Sequence, residues 1–98
     1  MIDVRQTEHF ADWLDNLRDG VAVKAIRRRI ARVQIGLFGD TKSVGDGVFE
    51  LRVDHGPGYR VYFARHGDVV VLLLCGGDKK SQQRDIMRAK ALAVEWKE

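Results

Sequence analysis

Hydrophobic and polar positions alternate with period two through the middle of the chain and recur at helical spacing on either side. Phe49, Leu51 and Val53 alternate with Glu50, Arg52 and Asp54, and Tyr59, Val61 and Phe63 alternate with Arg60, Tyr62 and Ala64. Successive strand residues point to opposite faces, so these segments predict two strands with one apolar face and one that gathers Arg52, Arg60 and Tyr62. The segments His55-Gly56-Pro57-Gly58 and His66-Gly67-Asp68 are short and glycine-bearing. They predict an antiparallel meander completed by Val69 to Gly76. That third strand is apolar on both faces, which predicts a place in the middle of the sheet.

Ahead of the meander, Ile2 to Arg5 predicts a short strand and Thr7 a helix N-cap. Phe10, Trp13, Leu14 and Leu17 mark one face of the first helix, with Glu8 in its first turn, Arg18 in its last, and Asp19-Gly20 as its end. A second helix is predicted from about Val21 to Leu37, where Val23, Ile26, Ile30, Val33 and Leu37 recur three and four residues apart and Gly36 or Gly39 closes it. The short connection makes the pair an antiparallel hairpin. Gly39 to Gly47 reads as a loop, with three glycines and no periodicity. After the meander, Ser81 caps a last helix from about Gln82 to Trp96, striped by Ile86, Ala89, Ala93 and Trp96. The predicted fold is α+β: an N-terminal strand and an antiparallel helical hairpin packed on a mainly antiparallel four-stranded sheet, with a C-terminal helix. The polar sheet face is left open. At 98 residues, positions 1–98 form a single domain with one core.

Charge sharpens this picture. Lysine and arginine outnumber aspartate and glutamate 17 to 14. That is a mild bias towards a polyanionic partner, and its distribution says more. Lys24, Arg27, Arg28, Arg29 and Arg32 make the second helix basic, with no acid between Val21 and Leu37, whereas Asp3, Glu8, Asp12, Asp15 and Asp19 precede it. Such a run is most often a solvated helix face; the competing reading is a ridge for phosphates. On the sheet, Arg52, Arg60 and Tyr62 are either the solvated side of a half-buried sheet or an RNA surface, with forked arginine contacts to phosphate and a ring that stacks on a base. In Cys75-Gly76-Gly77-Asp78-Lys79-Lys80-Ser81, two glycines allow a sharp turn or close approach to a ligand, and two lysines precede a helix N-terminus, itself an anion site. The alternative is a turn in which Asp78 and Ser81 cap the helix. Walker spacing is missing.

Other chemistries find little support. His9, His55 and His66 lack paired ligand spacing, so no metal and no cofactor is expected. Cys75 lies within a seven-residue apolar run and reads as a small buried hydrophobe. A single cysteine, a polar start and no apolar run near the roughly 20 residues that span a bilayer lead us to expect a reduced, cytoplasmic protein with no membrane partner.

The blocks GDxKxVGDGVxELRVDxGPGYRVYF and LLLCGGDKxxQxxDIxxAKxL, from Gly39 to Leu92, carry a resemblance. The chain resembles the RelE/ParE superfamily of toxins, in its HigB-like branch of addiction-module killer proteins, and the N-terminal strand and hairpin fit the same pattern. The resemblance implies the toxin of a type II toxin–antitoxin system, silenced by a cognate antitoxin of helix-turn-helix type. It further implies a ribosome-dependent mRNA endoribonuclease that inhibits translation by metal-independent attack of a ribose 2′-oxygen on its own 3′-phosphate. Carried over, Arg60 holds the scissile phosphate and Arg52 makes a second phosphate contact. Lys79 or Lys80 protonates the leaving oxygen or binds phosphate, and Tyr62 orients or stacks a base; Lys42, Arg28, Arg29 and Arg32 are further candidate RNA contacts. One departure matters: IMRAKALAVEWKE contains no tyrosine or histidine acid–base group, so a general base is unassigned. A ParE-like, non-nuclease toxin acting on DNA gyrase therefore stays open, as does an inactive antitoxin-binding module.

Overall fold

The alternation on either side of His55 builds strands as expected, but the sheet they belong to has five members and is covered on both faces. The computed structural model describes residues 1–96. In chain order the elements are β1 (Asp3–Gln6), α1 (Glu8–Asp15), α2 (Gly20–Gln34), β2 (Thr41–Gly45), β3 (Val48–Val53), β4 (Tyr59–His66) and β5 (Val70–Gly77), then a 3-10 turn (Lys79–Ser81) and α3 (Gln82–Glu95). The strand order is β1-β5-β4-β3-β2, antiparallel except for the parallel pair β1–β5. The apolar strand β5 is interior, as predicted, while the central position belongs to β4.

The extra strand β2 lies where a loop was expected. Asp46 and Gly47 both take positive φ, 56° and 75°, as a two-residue hairpin turn of type I′ requires, and Asp-Gly is the dipeptide that supplies this. An edge strand needs only one set of ladder hydrogen bonds, so β2 forms against β3 with little apolar patterning of its own.

Side-chain caps fix the helix starts. Thr7 Oγ1 accepts from the Phe10 amide and donates to the Leu74 carbonyl, which ties the beginning of α1 to β5. Asp19 starts α2 instead of ending α1, since its carboxylate accepts from the Ala22 amide. Backbone and side-chain hydrogen bonds to Asp19 and its pairing with His55 hold its carboxyl below the usual value. Arg18 therefore lies in the connection, and α2 stops at Gln34, short of the predicted Leu37, with Gly36 turning at φ 85°.

The two faces carry two apolar clusters. Phe10, Leu14, Ile26 and Val33 of the hairpin pack on Leu51, Val53, Val61, Phe63, Val71 and Leu73. On the other face, Ala89 of α3, with Ile86, Ala93 and Trp96 beside it, packs on Val48, Tyr62, Ala64, Leu72, Leu74 and Cys75. A register shift between Tyr62 and Phe63, opposite Cys75 and Leu73, lets the consecutive residues Leu74 and Cys75 both serve the α3 face. Each fully buried Phe, Leu, Ile or Val contributes about 1.5–3 kcal/mol. The polar sheet face is thus not open: α3 covers most of it. Among the described residues, no helix is long and apolar enough to cross a membrane.

Candidate functional site

What α3 leaves uncovered on its side of the sheet is one end, where strand register collects cations. Arg52 on β3 and Arg60 on β4 are paired directly across the ladder, and the adjacent row runs Lys42, Glu50, Tyr62 and Cys75 across β2, β3, β4 and β5. The helix begins over that second row, because the side-chain amide of Gln82, its first residue, donates to Glu50 Oε1 at 2.7 Å. Lys79 and Lys80 lie in the 3-10 turn just before it and are exposed. The β3–β4 turn brings these parts together: Arg60 Nη1 donates to the Gly58 carbonyl at 3.0 Å, and a Cβ on Gly58 would lie 3.8 Å from the Cβ of Lys79. A recess of about 220 Å³ is lined by Arg52, Arg60, Tyr59 and Asp40, and a second, of about 750 Å³, by Lys79, Lys80, Arg84 and Gln82.

Arg60 is not the outward side chain that alternation suggested. It is 12% exposed, and its Nε donates to Oε1 of Glu50, itself 1% exposed, at 3.0 Å. Arg52 pairs with Asp40 at 3.1 Å, and its Nε is buried with no hydrogen-bond partner among the described residues. Tyr62 is fully buried and cannot stack on a base; its hydroxyl donates to Glu50 Oε1 at 3.4 Å. Burial, with Glu50 and Asp85 nearby, pushes its phenol well above the ordinary value, so it remains a protonated donor. Lys42 is exposed on the edge strand beside Glu50.

The arginines of α2 divide. Arg29 is a structural tie: Nη1 donates to the Arg52 carbonyl, and Nη2 to the carbonyls of Phe38, at 3.1 Å, and Asp40, at 3.4 Å. Its guanidinium is committed to backbone, so it is withdrawn as an RNA contact. Arg28 and Arg32 remain exposed on α2, which packs on the sheet face opposite α3. The sheet separates them from Arg60 and Lys79.

Sequence reasoning missed two buried carboxylates. Glu50 was read only as the polar partner in an alternation; its signal was an acid sharing a strand face with two arginines. Asp85, 4% exposed, accepts from Ser81 Oγ, so Ser81 braces the turn from within while Asp78 caps it, accepting from the amides of Lys80 and Ser81. Ser81 stands at the N-cap position of α3 as predicted, but its side chain makes no capping hydrogen bond to the helix amides. The two glycines serve close packing: a Cβ on Gly76 would overlap the Trp13 indole, and one on Gly77 the Asp85 carboxylate. Cys75 is buried, and burial pushes its thiol up to about 12. Among the described residues, no group of three or more His, Cys, Asp or Glu side chains is placed to hold a metal ion.

The family described as "Phage derived protein Gp49-like (DUF891)" matches residues 12–94. The chain belongs to the Gp49-like family. This is a RelE/ParE-like toxin family, which sets the protein in a phage and toxin–antitoxin context. The Gp49-like chain is also 52% identical over 94 residues to an uncharacterized protein of Haemophilus influenzae, covering 96% of this chain and 95% of that one. No solved structure matches it.

Proposed function

We propose that this Gp49-like protein is a HigB-like toxin that cleaves mRNA on the ribosome in the cytoplasm and is silenced by a cognate helix-turn-helix antitoxin. The observation that carries this reading is the placement of Arg60. Its guanidinium is fixed by Glu50 and Gly58 beside Arg52 and Lys79, as a preorganised binder of developing phosphate charge needs to be. In this reading the ribose 2′-oxygen bonds to phosphorus as the bond to the 5′-oxygen breaks. Arg60 and Arg52 take the non-bridging oxygens, Lys79 or Lys80 gives a proton to the leaving oxygen, and the 2′ proton passes to solvent. Positioning and charge stabilisation supply most of what such a transfer needs. Lys42, Arg28 and Arg32 would hold RNA more generally.

One observation favours the gyrase-type alternative: Tyr62 is buried, and α3 contains no tyrosine or histidine to act as acid or base. Expression without the antitoxin separates the two. Growth arrest with fragmented mRNA and intact DNA is expected; arrest with intact mRNA and gyrase-dependent DNA breaks would replace the nuclease reading.

A further inference from the structure

We propose that Glu50 is a positioning residue, whose buried carboxylate fixes the Arg60 guanidinium and the start of α3 in the geometry that phosphate binding uses. The proposal rests on the nuclease reading above. Three donors converge on the single atom Oε1: Arg60 Nε at 3.0 Å, Gln82 Nε2 at 2.7 Å and the Tyr62 hydroxyl at 3.4 Å. They come from β4, which bears Arg60, and from the first residue of the helix that follows the lysine turn. A buried carboxylate is expensive, and replacing a buried ion pair by apolar groups of similar volume is often neutral or stabilising. The apolar cluster under α3 begins beside Glu50, with Val48 two residues back along β3 and the Tyr62 ring across the ladder. Cohesion of the core therefore does not require a charge at this position, whereas fixing Arg60 does. With Nε held by Glu50 and Nη1 by the Gly58 carbonyl, the guanidinium plane is set before any ligand arrives. At 1% exposure and beneath Arg60, Glu50 is out of reach of a ribose hydroxyl, which separates this role from that of a general base.

The test uses the full chain, with single-turnover cleavage of ribosome-bound mRNA and the NMR signal of the Arg60 Nε–H group in the protein alone. Glu50→Gln keeps an oxygen that accepts the same bonds, at about half the strength of charge-assisted ones, and is expected to slow cleavage about tenfold with the Arg60 signal retained. Glu50→Asp keeps the charge but draws it back by about a methylene. It is expected to slow cleavage on the order of a hundredfold, with KM little changed and the Arg60 signal exchange-broadened, as is Glu50→Ala if it folds. Glu50→Asp faster than Glu50→Gln would overturn the proposal, because charge and not position would then matter. So would a Glu50→Gln protein as slow as Glu50→Ala with its Arg60 signal intact, which would make Glu50 a proton acceptor. If the parent protein cuts no RNA, the nuclease reading fails, and the Arg60 signal across the Gln and Asp variants still decides whether Glu50 is its anchor.

Discussion

Arg28, Arg29 and Arg32 differ in role although the sequence presents them as one basic run. Arg29 lies three residues after Ile26 and four before Val33, both buried, so it stands at the edge of the apolar stripe and reaches backbone, while Arg28 and Arg32 face solvent. Arg29→Ala removes a charged donor from three carbonyls, and a hydrogen bond to a charged group is worth about 1.5–3 kcal/mol. We therefore expect it to lower unfolding stability in urea by about 2–3 kcal/mol, against less than about 0.5 kcal/mol for Arg28→Ala or Arg32→Ala. Equal effects for the three would contradict the assignment. Tyr62 gives a pH dependence of known sign. Its folded-state pKa is raised by burial, so the stability it confers is full below the ordinary phenol value of about 10 and is lost as pH rises beyond it. Tyr62→Phe should flatten this alkaline fall in a pH series of melting temperatures. Neither the burial of Tyr62 nor the pairing of Glu50 was legible, because alternation says which residues share a face but not whether a helix covers it.

At the level of elements, most of the fold could be read before the structure, and the exceptions have physical causes. Thr7 was recognisable as a cap because it precedes a clear apolar stripe, and the meander because its turns are short. Strand β2 was not, since Lys42 and Ser43 are both exposed and an edge strand owes its existence to backbone pairing. The Asp46-Gly47 turn was the available signal. Asp19 was misplaced because a cap for the second helix looks like a terminator of the first when the connection is short. The sharpest element-scale expectation concerns the end of β5. Gly76→Ala must displace Trp13 of α1, and Gly77→Ala must displace Asp85 of α3, so each unseats a helix from the sheet. Overpacking of this sort costs about 1–3 kcal/mol or more. Circular dichroism melts of the two variants should show clear losses, whereas Gly20→Ala, with open space around it, should not.

Taken whole, the molecule sets two basic regions on opposite sides of a sheet: an α2 ridge of Arg28 and Arg32, and the end of the α3 face where Arg52, Arg60, Lys79 and Lys80 gather. In the second, Arg60 is fixed beside Arg52 and Lys79, so the proposed nuclease reading puts reaction chemistry there and general RNA attraction on the first. Reversing Arg28 and Arg32 to glutamate should weaken ribosome binding and reduce the slope of log affinity against log salt by about one per lost phosphate contact, leaving the cleavage step unchanged. An unaltered salt slope would make that ridge a solvated face or an antitoxin contact. The nuclease assignment is tested most directly by adding the purified protein to ribosomes translating a defined mRNA and mapping the new RNA ends. The account predicts cuts that leave 2′,3′-cyclic phosphates, slowed about a hundredfold by Arg60→Lys, which keeps a cation against Glu50 but removes the fork. Intact mRNA, or cleavage as fast with Arg60→Lys as with the parent, would contradict it.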